Sequence, residues 1–362
     1  MSDKPLGILF ASRAFESPHI EGGFLLLRDL ALSAGSDDGI EASCFSTGAA
    51  QVTNNLELLP VYSRHGWGLR QSLQFMTSLS AAANRFDIVH TAHVPTPTNT
   101  CVLRYIRNKA SGAGTKFVQT VTALPASELI RSRSFWGDAI VCLNEQVAAV
   151  ARAHHDNVSV IPPVPSPERL KQHQALPGDL EERMGDRKIV CIAVDLGRLA
   201  DGFDLAAVCD TLLRTRDDAA VVMACRFGEE RLAERQLATL SSQYSDRLIV
   251  LGQVDYMLGL LKRSSVLFYP IDDIDKKFNP PMIVLESVML GTRVVTSASV
   301  DVRSILGDTD CHGLRSSDIG EWVDALQESL DSAQDETCPL VGFDDVYLEY
   351  LSIYRDLRKH RA

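Results

Sequence analysis

"SSVLFYPIDDIDKKFNPPMIVLESVMLGTRVVTSASVDVRSIL", residues 264–306, is the stretch whose reading decides the fold. The run "VLFYP" has no polar position, as a strand buried on both faces requires, and it ends at Tyr269 and Pro270. An irregular loop of acids and bases follows. Pro280 and Pro281 are suited to start a helix, because the first turn does not need their missing N–H groups. That helix carries Glu286 on its second turn, and Gly291 is placed to end it before a second apolar run, "TRVVTS". Strand, loop, helix and strand, with each strand built around a short apolar run, form a unit of a parallel sheet covered on both faces.

The same pattern recurs outward in both directions. "LGILFAS", "FDIVHTA", "KFVQTV", "AIVCLN" and "VSVIPP" precede residue 165, and "KIVCIAV", "AAVVMAC" and "RLIVLG" lie between residue 187 and the opening stretch. Between the two sets, "PSPERLKQHQALPGDLEERMGDR" (165–187) is polar and reads as a linker. The expected organisation is α/β: two Rossmann-like doubly wound parallel-sheet domains, 1–166 and 188–343, joined by a linker at 167–187 and facing a central cleft. Residues 344–362 predict a terminal amphipathic helix, with Tyr347, Tyr350, Leu351 and Tyr354 on its apolar face and Asp344 and Asp345 as its caps. It is expected to pack back on the first domain.

Composition narrows the function. The chain has 362 residues, 45% hydrophobic and 23% charged, enough for two cores. A net charge of -11 argues against a nucleic-acid partner, since phosphate binding calls for a cationic excess. No run approaches the ~18 apolar residues of a membrane span, so a cytoplasmic protein is expected. Its eight cysteines include no C-x-x-C pair and read as reduced, mostly buried thiols.

The opening stretch resembles the donor-nucleotide signature of family-four glycosyltransferases, retaining enzymes of the GT-B fold, through "VLESVMLGTRVVTS". Other stretches follow that family's order. "EGGFLLLRDLALSAG" is similar to its Gly-Gly loop and first helix, "FDIVHTAH" to its F-D-V-V-H-x-H stretch, and "VDLGRLADGFDL" to its G-R-L diphosphate loop. The resemblance implies a GT-B architecture and transfer of a sugar from a nucleotide diphosphate sugar to an acceptor hydroxyl, with no cofactor and no metal. The acceptor is left open: a glycan, a lipid-linked or a small molecule.

It also implies roles. Arg198 would grip the diphosphate, and Glu286 would accept hydrogen bonds from the ribose. Gly22 and Gly23 would lie beside the donor phosphates, and Phe278, Asn279, Pro280, Pro281 and Met282 would line the donor loop. Three departures stand out. The lysine expected after G-R-L has no counterpart, with Lys276, Lys277 or Arg226 as substitutes if the fold brings one close, and Phe278 aligns with the first glutamate of the family's pair. In "TKFVQTVTALP" (115–125), Thr122 stands where relatives place a catalytic histidine, and a hydroxyl cannot carry the imidazolium charge. These losses keep a second expectation open, a catalytically inactive scaffold or partner subunit.

Other constellations are weaker. Asp273 and Asp275 form a D-x-D that reads as a solvated loop. His90 and His93 end a strand and read more readily as structural than as sugar contacts, with His93 kept as a possible site residue. The cations of "RYIRNK" and "ELIRSRSFW" read as solvated by default, with a membrane surface or acceptor phosphate as the other reading.

Overall fold

The computed structural model describes residues 4–13, 15, 22–48, 55–63, 68–124, 133–172, 174–193, 196, 199, 203–225, 229–271, 280–300, 311–316, 318–332 and 342–359. The chain divides into two compact units, Met1–Val164 with Gly342–Ala362, and Pro165–Ile274 with Pro280–Val341.

The first unit runs β1 (Leu6–Phe10), α1 (Gly22–Ala34), β2 (Ile40–Ser46), β3 (Leu56–Pro60), α2 (Leu69–Ala82), β4 (Ile88–His93), α3 (Pro97–Ser111), β5 (Lys116–Val121), β6 (Ala139–Cys142), α4 (Glu145–Arg152) and β7 (Val158–Val160). The second runs α5 (Pro167–Lys171), α6 (Gly178–Met184), β8 (Lys188–Ile192), α7 (Leu205–Thr215), β9 (Ala219–Ala224), α8 (Glu230–Gln236), α9 (Ala238–Gln243), β10 (Leu248–Leu251), α10 (Met257–Arg263), β11 (Val266–Tyr269), α11 (Met282–Met289), β12 (Arg293–Ser297), β13 (Cys311–Leu314) and α12 (Ile319–Asp331). A last helix, α13 (Phe343–Lys359), belongs to the first unit.

The seven-stranded sheet has the order β3-β2-β1-β4-β5-β6-β7 and the six-stranded sheet β10-β9-β8-β11-β12-β13. Every pairing is parallel. Both sheets therefore start at a central strand, run to one edge, and return to continue beside the first strand. This is the doubly wound order, and it creates a switch point between β1 and β4 in one sheet and between β8 and β11 in the other. Each apolar run identified in the sequence is a strand.

Three strands had no such run. β2 and β3 are joined by Ser43, whose hydroxyl donates to Glu57 at 2.8 Å, so polar residues stand where apolar ones were sought. β13, "CHGL", pairs only with β12, at the sheet's edge.

Local details also differ from the expectation. Pro281 is the N-cap of α11, extended at φ -60° and ψ 136°, and the helix begins one residue later at Met282. A proline biases the residue before it away from helix, so Pro280 and Pro281 end the loop rather than enter the helix. The other end closes as read. Gly291 has φ +79°, its N–H reaches the Val288 carbonyl at 3.0 Å, and the Thr292 N–H reaches the Ser287 carbonyl at 2.8 Å. This is a Schellman cap, which needs a residue that tolerates the left-handed region.

Asp344 and Asp345 lie inside the first turn of α13, where they favour the helix dipole without capping it. The segment 167–187 is not a bare connector. Leu180 and Met184, one turn apart, bury the inner face of α6, and a Cβ on Gly259 of α10 would fall 2.1 Å from the Gln174 carbonyl oxygen. The second unit thus holds this segment by close backbone packing that its charged composition conceals.

Among the described residues no helix is long and apolar enough to cross a membrane. Of the described cysteines, Cys44, Cys142, Cys191, Cys209 and Cys225 are buried and all are free.

Candidate functional site

In doubly wound sheets ligands bind beyond the carboxyl ends of the strands beside a switch point. In the first unit that edge collects Gly22 and Gly23 at the start of α1, His93 at the end of β4 and Thr122 just after β5. The helix start and the strand ends touch: a Cβ on Gly23 would fall 2.9 Å from Thr122 Cγ2 and 3.8 Å from Ala92 Cβ. Glycine therefore permits this approach without displacing the Thr122 methyl group, and it sets the first N–H groups of α1 beside Thr122. Thr122 is buried, and its N–H donates to the His93 carbonyl at 3.4 Å.

The His93 ring stacks on Trp136, with centroids 6.1 Å apart and planes at 24°. Burial lowers its pKa to about 4, so the ring is neutral at pH 7. The residue is partly exposed, yet its Nε2 is enclosed and has no hydrogen-bond partner among the described residues; the same holds for Nε1 of the buried Trp136. A buried Gln119 on β5 holds this arrangement. Its Oε1 accepts from the Trp136 N–H at 2.9 Å and the Gly137 N–H at 3.3 Å, and its Nε2 donates to the Ser134 carbonyl at 2.9 Å.

His90 lies on the opposite face of β4, because three residues along a strand reverse the side-chain direction. It is fully buried, with Nε2 2.8 Å from Thr120 Oγ1 and Nδ1 2.7 Å from the Tyr354 hydroxyl on α13. Burial lowers its pKa to about 3. Its work is to fasten α13, through Tyr354 and, by way of Thr120, the Tyr350 hydroxyl at 3.3 Å.

In the second unit, β8 and β11 flank the switch point, and α7 and α11 begin just beyond it in the sequence. Asp204 caps α7, accepting from the Ala207 N–H at 3.0 Å. Pro280, Pro281 and Met282 are buried at the start of α11. Glu286 is buried too, and its carboxylate accepts from Arg169 Nη1 of α5, with the side chains 6% and 7% exposed. α5 is itself set by Ser166, whose hydroxyl accepts from the Arg169 N–H at 3.3 Å. The pairing uses one carboxylate oxygen and leaves acceptor capacity on Glu286.

The chain matches no protein-family profile and no curated protein. It is similar to solved structures along its whole length. Sucrose-phosphate synthase from Thermosynechococcus elongatus superimposes with a TM-score of 0.64 at 15% identity, over 98% of this chain and 99% of that one. Alr3699/HepE from Anabaena, solved with UDP and glucose, gives 0.63 at 12%, over 96% and 94%. UDP-GlcNAc 2-epimerase from Methanocaldococcus jannaschii gives 0.64 at 8%, over 97% and 99%. The fold is GT-B.

Within the GT-B fold, the structure brings Gly22, Gly23, Thr122 and His93 to one sheet edge, and it sets Pro280, Pro281, Met282 and Glu286 on a helix that starts after a central strand of the other sheet. Arg198, Arg226, Lys276, Lys277, Phe278 and Asn279 lie outside the described residues, as do Asp273 and Asp275. Sequence reasoning missed Gln119, Trp136 and Arg169. Arg169 had a signal: Ser166 followed by Pro167 is an N-cap with proline at the first helical position. Gln119 and Trp136 had none, since a glutamine inside an apolar strand does not name the loop it holds.

Proposed function

We propose that this protein transfers a sugar from a nucleoside diphosphate sugar to an acceptor hydroxyl, with retention and without a metal, as family-four glycosyltransferases do. One observation carries the reading. Both sheets of the GT-B fold have a switch point, and described segments that carry the sequence motifs fall at both: the Gly22–Gly23 helix at one and the Glu286 helix at the other. The neighbours named for a sugar-phosphate synthase and for a complex with UDP and glucose support the donor class.

In this reading Arg198 and the first N–H groups of α7 and α11 take up the charge of the departing diphosphate. Glu286, steadied by Arg169, accepts from the ribose hydroxyls. Thr122 orients the sugar by one hydrogen bond, and the neutral His93 contributes no charge at pH 7. The leaving diphosphate itself serves as the base for the acceptor hydroxyl, so no protein nucleophile is used.

The test is thermal unfolding with UDP, GDP and ADP, followed by assay of nucleoside diphosphate release from the matching nucleotide sugars. At a hundredfold excess over Kd, a nucleotide that binds adds about 2.7 kcal/mol and raises Tm by several degrees. If none shifts Tm, the proposal fails. An epimerised sugar nucleotide in place of transferred sugar moves the assignment to the epimerase type of neighbour.

A second reading, an inactive GT-B scaffold or partner subunit, is favoured by Thr122 at the histidine position and by the Arg169 contact on Glu286. Nucleotide binding without turnover of any sugar nucleotide supports it, and turnover by the native chain removes it.

A further inference from the structure

The outer face of α2 and α3 departs from the acidic balance of the chain as a whole. The protein carries 47 acidic against 36 basic side chains, yet neither helix contains a carboxylate. Together they carry Arg70, Arg104, Arg107 and Lys109, with Arg85 in the 3-10 turn between them. Arg107 is turned to Asp138 at 2.7 Å. Among the described residues no ion pair holds Arg70, Arg104 or Lys109, all of which are exposed.

The same face holds apolar side chains in water. Single exposed leucines are ordinary on a protein surface. Here, however, three of the four large exposed hydrophobic residues described, Leu69 at 80%, Leu73 at 58% and Tyr105 at 68%, fall on these two helices. Leu69 and Leu73 are one turn apart on α2, so they project together. The helices lie side by side. Phe75 and Leu79 of α2 share a buried cluster with Leu103 and Ile106 of α3, and Lys109 Nζ donates to Ser80 Oγ at 3.4 Å. Their inner sides are thereby fixed in the core, and the remaining side offers leucine, tyrosine and cations that no described carboxylate pairs.

We propose that this face docks on an anionic lipid bilayer. Leucine and tyrosine enter the boundary between headgroups and acyl chains, while arginine and lysine meet acidic headgroups. The charge argues for this occupant: two cationic helices without a carboxylate, on a chain of net charge -11, are attracted to an anionic plane only if that face turns toward it, so binding also orients the protein. The inference goes beyond sugar transfer and does not depend on it.

Co-sedimentation of the full chain with phosphatidylglycerol–phosphatidylcholine vesicles, against pure phosphatidylcholine, tests it. Binding is expected to rise with the phosphatidylglycerol fraction and to fall as salt shortens the range of the attraction. Arg70→Gln, Arg104→Gln and Lys109→Gln together should reduce partitioning roughly a hundredfold, on the order of fivefold for each cation. Leu69→Ser with Leu73→Ser should reduce it on the order of tenfold and leave the salt dependence unchanged. All five positions are exposed, and circular dichroism melts verify that each variant is folded.

Equal recovery with neutral and anionic vesicles, or unchanged binding by the folded triple variant, overturns the proposal. Capture of an acidic protein by this face without any vesicle binding assigns it to a protein partner and overturns it as well.

Discussion

Gly23 and Thr122 meet where no Cβ has room, and their contact is a measurable coupling. Gly23→Ala should destabilise the native chain by about 1 kcal/mol, because the new methyl group presses on Thr122 Cγ2. Thr122→Ser removes that Cγ2, and in its background Gly23→Ala should be neutral or stabilising, since alanine is the better helix former. Urea unfolding of the four proteins of the cycle reads the coupling, and additive effects would refute the contact. At this scale the sequence spoke clearly where a residue's partner was its own backbone. Gly291 is an example: its cap needs only the left-handed region and neighbouring carbonyls. It was silent where the partner lay far along the chain. His90 reads as a strand-end histidine, and nothing near it names Tyr354, 264 positions on.

The buried pair Arg169–Glu286 joins α5 to α11 in the second unit. Removing Arg169 leaves the Glu286 carboxylate buried without its counter-charge. Arg169→Met should therefore cost about 3–5 kcal/mol, while Arg169→Met with Glu286→Leu should recover most of it. Denaturant unfolding of both variants decides, and a double variant as unstable as the single one would contradict this account. The elements that were legible owe it to burial on both faces, which forces a continuous apolar run such as "AAVVMA" in β9. β2, β3 and β13 escaped because they carry polar pairs or lie at an edge, and α5 and α6 because a short helix shows too few turns for its period to stand out. The candidate site was legible as segments in order. Its geometry was not, because Gln119 and Trp136 act through a loop that no pattern marks.

Across the whole molecule, acid should weaken the fold through two histidines. His90 and His93 have folded pKa values lowered to about 3 and about 4, against 6.5 for an unperturbed ring. Between those values the unfolded chain binds more protons than the folded one. Stability is thus fully present above about pH 6.5 and declines as pH falls toward the folded pKa values, by up to about 1.4 kcal/mol per pH unit for each ring. Unfolding free energies at pH 7, 6 and 5 should show the decline, and His90→Gln should make it shallower. A flat profile, or one unchanged by His90→Gln, would mean that these rings accept protons in the native state.

The return of α13 to the first unit sets an order of events during synthesis. Tyr350 and Tyr354 complete the packing around His90, and they leave the ribosome only after all of the second unit has been made. At ordinary elongation rates the first sheet waits on the order of ten seconds or more with the Phe10 and His90 face uncovered. The newborn chain, more than the finished protein, is therefore the form that needs a chaperone, and a message cut short before residue 343 would yield a first unit that never closes.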